Sequence, residues 1–344
     1  MLKKLFISLG LLSVVALGGG FYAYQKINQL AEHQLTTKPD QLFILEKGTS
    51  SQKLAKLLAE QGIISSDDAD LLPYLIRLQP ELSKFKAGVY ALDNLKTVKD
   101  LLQHFNSGKE VQLNVQFIEG KTFKTWREQL AKARYLEQTL ADKNETDIAK
   151  LLGVPNEKLE GWLAPDTYSY VPYSSDLELL KRAYQKQQQA LEQAWQNRAE
   201  NLPLKSPYEM LILASIVEKE TGVASERPQV ASVFINRLRQ GWKLQTDPTV
   251  IYGMGDRYNG NIRKKDLLEP TPYNTYIIDG LPPTPIAMPS EASIKATAQP
   301  DTTPYFYFVA DGSGGHKFSR TLDEHNQAVR NWIQIERNKK SENK

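Results

Sequence analysis

The run Met210-Leu211-Ile212-Leu213-Ala214-Ser215-Ile216-Val217 is apolar on every face of a helix except at Ser215. A helix without a polar stripe has no side to turn to water, so the domain that carries it must be layered around it. Its start is marked by Ser206-Pro207-Tyr208-Glu209, an N-cap serine, a proline at the first helical position and a glutamate at N3. Its end falls in Glu218-Lys219-Glu220-Thr221-Gly222, with Gly222 expected as the left-handed residue after the last turn. Both glutamates then sit in a last turn whose negative end and apolar surroundings disfavour ionisation. A carboxyl protonated near neutral pH is what a general acid for glycosidic cleavage needs. Glu218 continues the face of Leu211, Ala214 and Ser215, whereas Glu220 lies about 200° further round. The two cannot flank one substrate bond as a symmetric pair.

Composition narrows the chemistry. The 344 residues contain no cysteine and four histidines, His33, His104, His316 and His325. Disulfide frameworks, thiolate metal sites, thiol nucleophiles and a lipid-modified cysteine are excluded. His316 and His325 lack a third-ligand pattern, so neither a metal nor another cofactor is expected. The net charge of +3 is too small for a basic nucleic-acid binder.

Along the chain, Lys3 and Lys4 precede an uncharged run from Leu5 to Tyr24, long enough as a helix for about 30 Å of hydrocarbon. A cleaved signal peptide ending near Ala16-Leu17-Gly18 competes with an uncleaved anchor, and the apolar residues continuing through Phe21, Tyr22 and Ala23 favour the anchor. The expectation is a cytoplasmic stretch at 1–4, a transmembrane helix at 5–24 and a polar tether or helical extension at 25–40. Lysines ahead of the span then place everything after it on the far side of the membrane.

Alternating strands and amphipathic helices follow. Leu42 to Glu46 and Gly88 to Leu92 read as strands, each ahead of a helix, which predicts a small α/β module at 41–109. Residues 110–336 read as a larger mixed α+β domain. It holds the buried helix, a long polar helix near 174–200 and a hairpin with Asp311-Gly312-Ser313-Gly314-Gly315 at its turn. Thr321 and Glu324 form a capping box for the last helix, and 337–344 is a charged tail. The overall class is α+β.

Two further segments draw attention. Leu244-Gln245-Thr246-Asp247-Pro248-Thr249 places Asp247 as an N-cap before proline. Tyr273-Asn274-Thr275-Tyr276 sits in a proline-rich, rigid loop, where rings and amides suit a sugar or simply anchor the loop.

These segments carry a resemblance. Leu159 through Tyr168, Ile212 through Thr221, Leu244 through Tyr252, Tyr273 through Tyr276 with Gly280 through Ile286, and Tyr305 through Ser319 closely resemble the endolytic murein transglycosylase (MltG, YceG-like) family. Ala164 departs from it, since the family commonly has an aromatic residue there. The resemblance implies a LysM-like subdomain at 41–109, a catalytic domain at 110–336, and a single-pass inner-membrane enzyme facing the periplasm. Its substrate would be peptidoglycan glycan strands, cut between MurNAc and GlcNAc to leave a 1,6-anhydro-MurNAc end. Placement at the membrane adds the peptidoglycan synthesis machinery as an expected partner. It places the family's catalytic glutamate on Glu218. Glu220, Gln245, Asp247, Tyr273 and Asn274 are then the candidates for orienting that acid or holding sugar. A hydrolytic muramidase with a second carboxylate and a non-catalytic wall-binding scaffold are the alternatives.

Overall fold

Helix α1 (Leu2–Gln29) opens the chain and leads through a single turn into the first folded unit. In this computed structural model residues 2–342 are described, with side chains from Val14 to Lys339. Among the described residues no helix is long and apolar enough to cross a membrane. The described side chains of α1 begin at Val14, inside the expected span of 5–24. The expected single-pass inner-membrane placement is therefore overturned. The remainder of the expected span and the expected cytoplasmic residues 1–4 lie outside the described side chains.

The chain divides into two compact units, Met1–Leu113 and Asn114–Lys344. In the first, β1 (Leu42–Leu45), α2 (Ser51–Glu60), α3 (Ser66–Leu78), β2 (Gly88–Ala91) and α4 (Val98–Ser107) follow in order. β1 and β2 pair antiparallel with Leu42 opposite Ala91 and Leu45 opposite Gly88. Local chemistry starts the helices: the Ser50 hydroxyl accepts from the Lys53 N–H, and Thr97 with Asp100 closes a capping box. The helical spacing of Leu54, Leu58, Leu101 and Phe105 turns these residues into one core with Phe43, Leu72, Leu75 and Tyr90. Leu30 and Ala31, in the stretch read as tether or helical extension, are buried in the same core.

The second unit contains β3 (Leu113–Phe117), α5 (Phe123–Ala131), α6 (Glu145–Leu152), β4 (Asp166–Tyr170), α7 (Asp176–Gln196), α8 (Pro207–Glu220), α9 (Arg227–Arg239), α10 (Asp247–Met254), α11 (Lys264–Leu267), α12 (Glu291–Ala298), β5 (Tyr307–Ala310), β6 (His316–Ser319) and α13 (Leu322–Glu342). β3 pairs with β4, and β5 with β6 in an antiparallel hairpin. As its sequence demands, α8 is enclosed, with α7, α9, α10 and α12 packed on it. Met210 through Val217 are all buried, and each large side chain contributes about 1.5–3 kcal/mol through that burial. The one polar residue in the run is satisfied, since the Ser215 hydroxyl donates to the Ile212 carbonyl and accepts from the Ile286 N–H.

Three local expectations change. α8 ends in an extended Thr221 (φ −140°), so Gly222 is not the left-handed cap. The N-cap of α10 is Thr246, which moves Asp247 to the first helical position. The charged tail continues α13 as far as Glu342. The capping box of α13 is present, with the Glu324 N–H donating to Thr321 Oγ1 and the Thr321 N–H to Glu324 Oε2.

Candidate active site

The last turn of α8 sends its two glutamates to different surroundings. Glu218 meets the start of α12, where its Oε2 accepts from the Ser290 N–H at 2.9 Å, the Ser290 hydroxyl at 2.5 Å and the Ser293 hydroxyl at 2.7 Å. Ser290 is also the N-cap of α12. The carboxyl of Glu218 thus lies against the positive end of a neighbouring helix while it terminates its own. Arg227 Nη2 is 3.9 Å from the other oxygen, and the Glu218 side chain is only 4% exposed.

Glu220 lines a cavity of about 450 Å³ together with Arg237, Gln245, Asp247, Tyr276, Tyr307 and His325. Burial pushes its carboxyl up to about 7, opposed by the Thr246 hydroxyl that bonds to it and reinforced by the nearby Asp247 carboxylate. Sequence alone assigned Thr246 no role. It is the N-cap of α10 but makes no side-chain cap bond, because its hydroxyl is turned to Glu220. Asp247, released from capping, accepts the Tyr276 hydroxyl at 2.6 Å. Gln245 precedes them in a left-handed conformation (φ 49°), an uncommon backbone for a residue with a side chain, on the cavity wall.

The wall opposite α8 comes from the hairpin and α13. Arg237 on α9 is the tie: Nε donates to the Phe306 carbonyl and Nη1 to the Leu244 carbonyl, both at 2.7 Å, so one guanidinium joins the start of β5 to the Gln245 loop. Its Cζ lies 5.3 Å from the centre of the Tyr307 ring, on which His325 also stacks at 5.1 Å. Burial lowers the His325 imidazole below its ordinary value. His316 fastens the hairpin to the loop after α8, its Nδ1 2.8 Å from Glu226 Oε2 and its N–H donating to Glu226 Oε1.

Of the six residues singled out from sequence, the cavity gathers Glu220, Gln245 and Asp247. Glu218 is turned away to α12. Asn274 is 1% exposed, and its amide donates to the carbonyls of Asp266, Leu267 and Glu269 while accepting from the Tyr276 N–H. It ties the proline-rich loop together and so presents Tyr276, the tyrosine of that motif that reaches the cavity. Tyr273 packs on Tyr252 and bonds Thr284, away from the cavity lining. Thr246, Arg237, Tyr307 and His325 were missed, since no local spacing links α9, α10, β5 and α13.

Another buried carboxyl with a raised value lies elsewhere in this unit. Glu160 accepts from the Phe123 N–H at 2.9 Å and the Tyr252 hydroxyl at 3.2 Å, and burial pushes it, too, up to about 7. It links the first turn of α5 to α10. Next to it Gly161 (φ 84°) must be glycine, because a Cβ there would stand 2.5 Å from Pro285.

The sequence profile of the YceG-like family matches residues 43–331. An endolytic murein transglycosylase of Bacillus subtilis (strain 168) is 30% identical over 332 residues, covering 92% of this chain and 91% of that protein. Another, from Streptococcus pneumoniae serotype 2, is 24% identical; the match covers 90% of this chain and 62% of that protein's length. Among solved structures, a yceG-like protein of Listeria monocytogenes is similar with a TM-score of 0.53 and 26% identity, over 85% of this chain and 99% of that one. With the profile running through both units, this chain belongs to the YceG-like family.

Proposed function

We propose that this chain is an endolytic murein transglycosylase, which cleaves the glycan strands of peptidoglycan, and that Glu220 rather than Glu218 is its general acid. The relatives' names support the activity. The observation that carries the choice of acid is the Glu220 carboxyl, held up to about 7 in a cavity walled by tyrosines, an amide and a histidine. A carboxyl with that value is half protonated near neutrality and can both give and take a proton there. The rings offer faces to a sugar and the polar groups offer partners to its hydroxyls. Glu218 suits the task less well, because one of its oxygens already accepts three hydrogen bonds.

In this mechanism Glu220 protonates the oxygen between MurNAc and GlcNAc as the bond from C1 breaks. The resulting carboxylate accepts the proton of the same MurNAc's 6-hydroxyl, whose oxygen bonds to C1. The products are a free GlcNAc hydroxyl and a 1,6-anhydro-MurNAc end, no water is consumed, and Glu220 recovers its proton. Thr246 and Asp247 adjust the acid from opposite directions, while Tyr276 holds Asp247. Cleavage within strands limits their length. In the first unit, two antiparallel strands with helices between them support the reading of a LysM-like module that grips glycan. The expected partnership with the synthesis machinery rested on a membrane anchor and loses that support.

Asp247 on the same cavity favours one other reading, a muramidase in which it activates water. Mass spectrometry of glycan digested in ¹⁸O-water separates the two. Anhydro ends without label are expected; reducing MurNAc ends carrying ¹⁸O would overturn the transglycosylase mechanism. Glu220→Gln releasing fragments at more than a few per cent of the normal rate would overturn the assignment of the acid.

A further inference from the structure

Strand β5 and helix α13 shape two openings. Toward α8 they contribute Tyr307, Phe308, His325 and Asn326 to the Glu220 cavity. Beyond it they bound a groove of about 650 Å³, lined by the rings of Tyr305, Phe318 and Trp332 and the amides of Gln327 and Asn331. The three rings are only half-buried. Tyr305 and Phe318 lie 5.9 Å apart and tilted by 36°, so they contact one another without closing the groove.

Contacts at either end hold the hairpin on the helix. At one end His325 stacks on Tyr307. At the other, Gly312 (φ 90°) sits so close that a Cβ would be 2.9 Å from Ile335, and Lys339 Nζ donates to its carbonyl at 2.8 Å. The groove is the space between these two contacts.

We propose that this groove is a second saccharide site, which holds units of the glycan strand away from the bond cleaved at Glu220. The proposal rests on the function above and adds where the polymer runs. Three features commit it to sugar. Open rings flanked by amides match the faces and hydroxyls of a pyranose. The lining sets Lys317 against Asp311 and Glu324, charges of both signs that leave only a single negative charge in excess and no strong field for a charged partner. The same hairpin and helix line the cavity, so the groove lies beside it on shared elements, across the Tyr307–His325 stack. An enzyme that cuts within strands needs such hold on units remote from the reacting bond.

The test uses the full chain with Trp332→Ala and, separately, Asn331→Ala, on peptide-free glycan strands and on a MurNAc–GlcNAc tetrasaccharide. Both variants should raise KM for long strands about 5- to 10-fold with kcat unchanged, and leave the tetrasaccharide kinetics within about twofold. Unchanged KM for long strands in both variants would overturn the proposal. So would a loss of kcat on both substrates in Trp332→Ala with Asn331→Ala silent, because Trp332 would then only support the hairpin. Calorimetric binding of long strands to Glu220→Gln, with and without Trp332→Ala, separates this failure from failure of the function. Wild-type protein that cleaves neither substrate, combined with binding that weakens on loss of Trp332, would sink the assigned activity and leave the groove standing.

Discussion

Glu218 and Glu220 are separated by a single residue at the end of one helix, yet they occupy opposite kinds of environment. Glu218 is placed against the start of α12 and receives three hydrogen bonds on one oxygen, with Arg227 near the other. Glu220 faces a cavity, is offered one hydroxyl, and shares the wall with another carboxylate. In the first setting the side chain is held by fixed donors and joins two helices. The second favours a carboxyl that exchanges a proton. The surroundings of an acidic residue are thus decided by the elements packed on it, and under the proposed function neighbouring positions of one motif are divided between holding the fold and running the reaction.

That contrast can be broken most directly by exchanging each carboxyl for an amide. Glu220→Gln should lower kcat about 10²- to 10⁴-fold with a melting temperature close to or above wild type. Glu218→Gln should do the reverse, costing about 2–3 kcal/mol of stability through its charge-assisted hydrogen bonds while the folded fraction keeps kcat within about tenfold. Steady-state kinetics beside thermal melts measure both, and activity lost in Glu218→Gln alone would return the acid's role to that residue. Ser290→Ala belongs with the structural half. Loss of the N-cap and of a donor to Glu218 should cost about 1–2 kcal/mol in denaturant titrations without moving the pH profile.

The pH dependence of stability sharpens the comparison. Glu220 and Glu160 titrate at about 7 in the folded chain and near 4.5 when unfolded, so the folded state binds more protons between those values. Stability should therefore fall as pH rises from about 4.5 to about 7 and level off above, by up to a few kcal/mol for each group. Glu160→Gln should flatten part of this slope in melts across pH and leave turnover intact, whereas Glu220→Gln should flatten its part and abolish turnover.

The smallest expected effects are shifts in the alkaline limb of kcat/KM, which falls as Glu220 loses its proton. Thr246→Val removes a bond that lowers the Glu220 value and should move the limb up. Asp247→Asn removes a charge that raises it and should move the limb down. Limbs moving in the same direction would mean that Glu220 is not the titrating acid.

Much of the scaffold was legible because its signals are local. The all-apolar run of α8, the capping box at Thr321 and the glycine turn between β5 and β6 depend on residues within a few positions of each other. The site was legible only in part. The Gln245-Thr246-Asp247 segment was noticed for a capping pattern, but capping did not reveal that Thr246 would give its hydroxyl to Glu220. The Tyr273–Tyr276 motif was noticed for its rings, yet which tyrosine enters the cavity depends on Asn274 bonding three carbonyls of the preceding loop. Nothing near Arg237 in sequence predicts that it joins the hairpin to the Gln245 loop.

By itself the sequence determined that a helix apolar on all sides must lie inside a layered α+β domain, that two carboxyls must end it, and that thiol chemistry is absent. Side-chain hydrophobicity and helical period suffice for these. Which carboxyl meets the serines of α12 and which meets the cavity was decided by tertiary structure alone. That choice depends on how α10, α12 and the hairpin pack around the last turn of α8, and so on donors brought from 26 to 75 residues away in the chain.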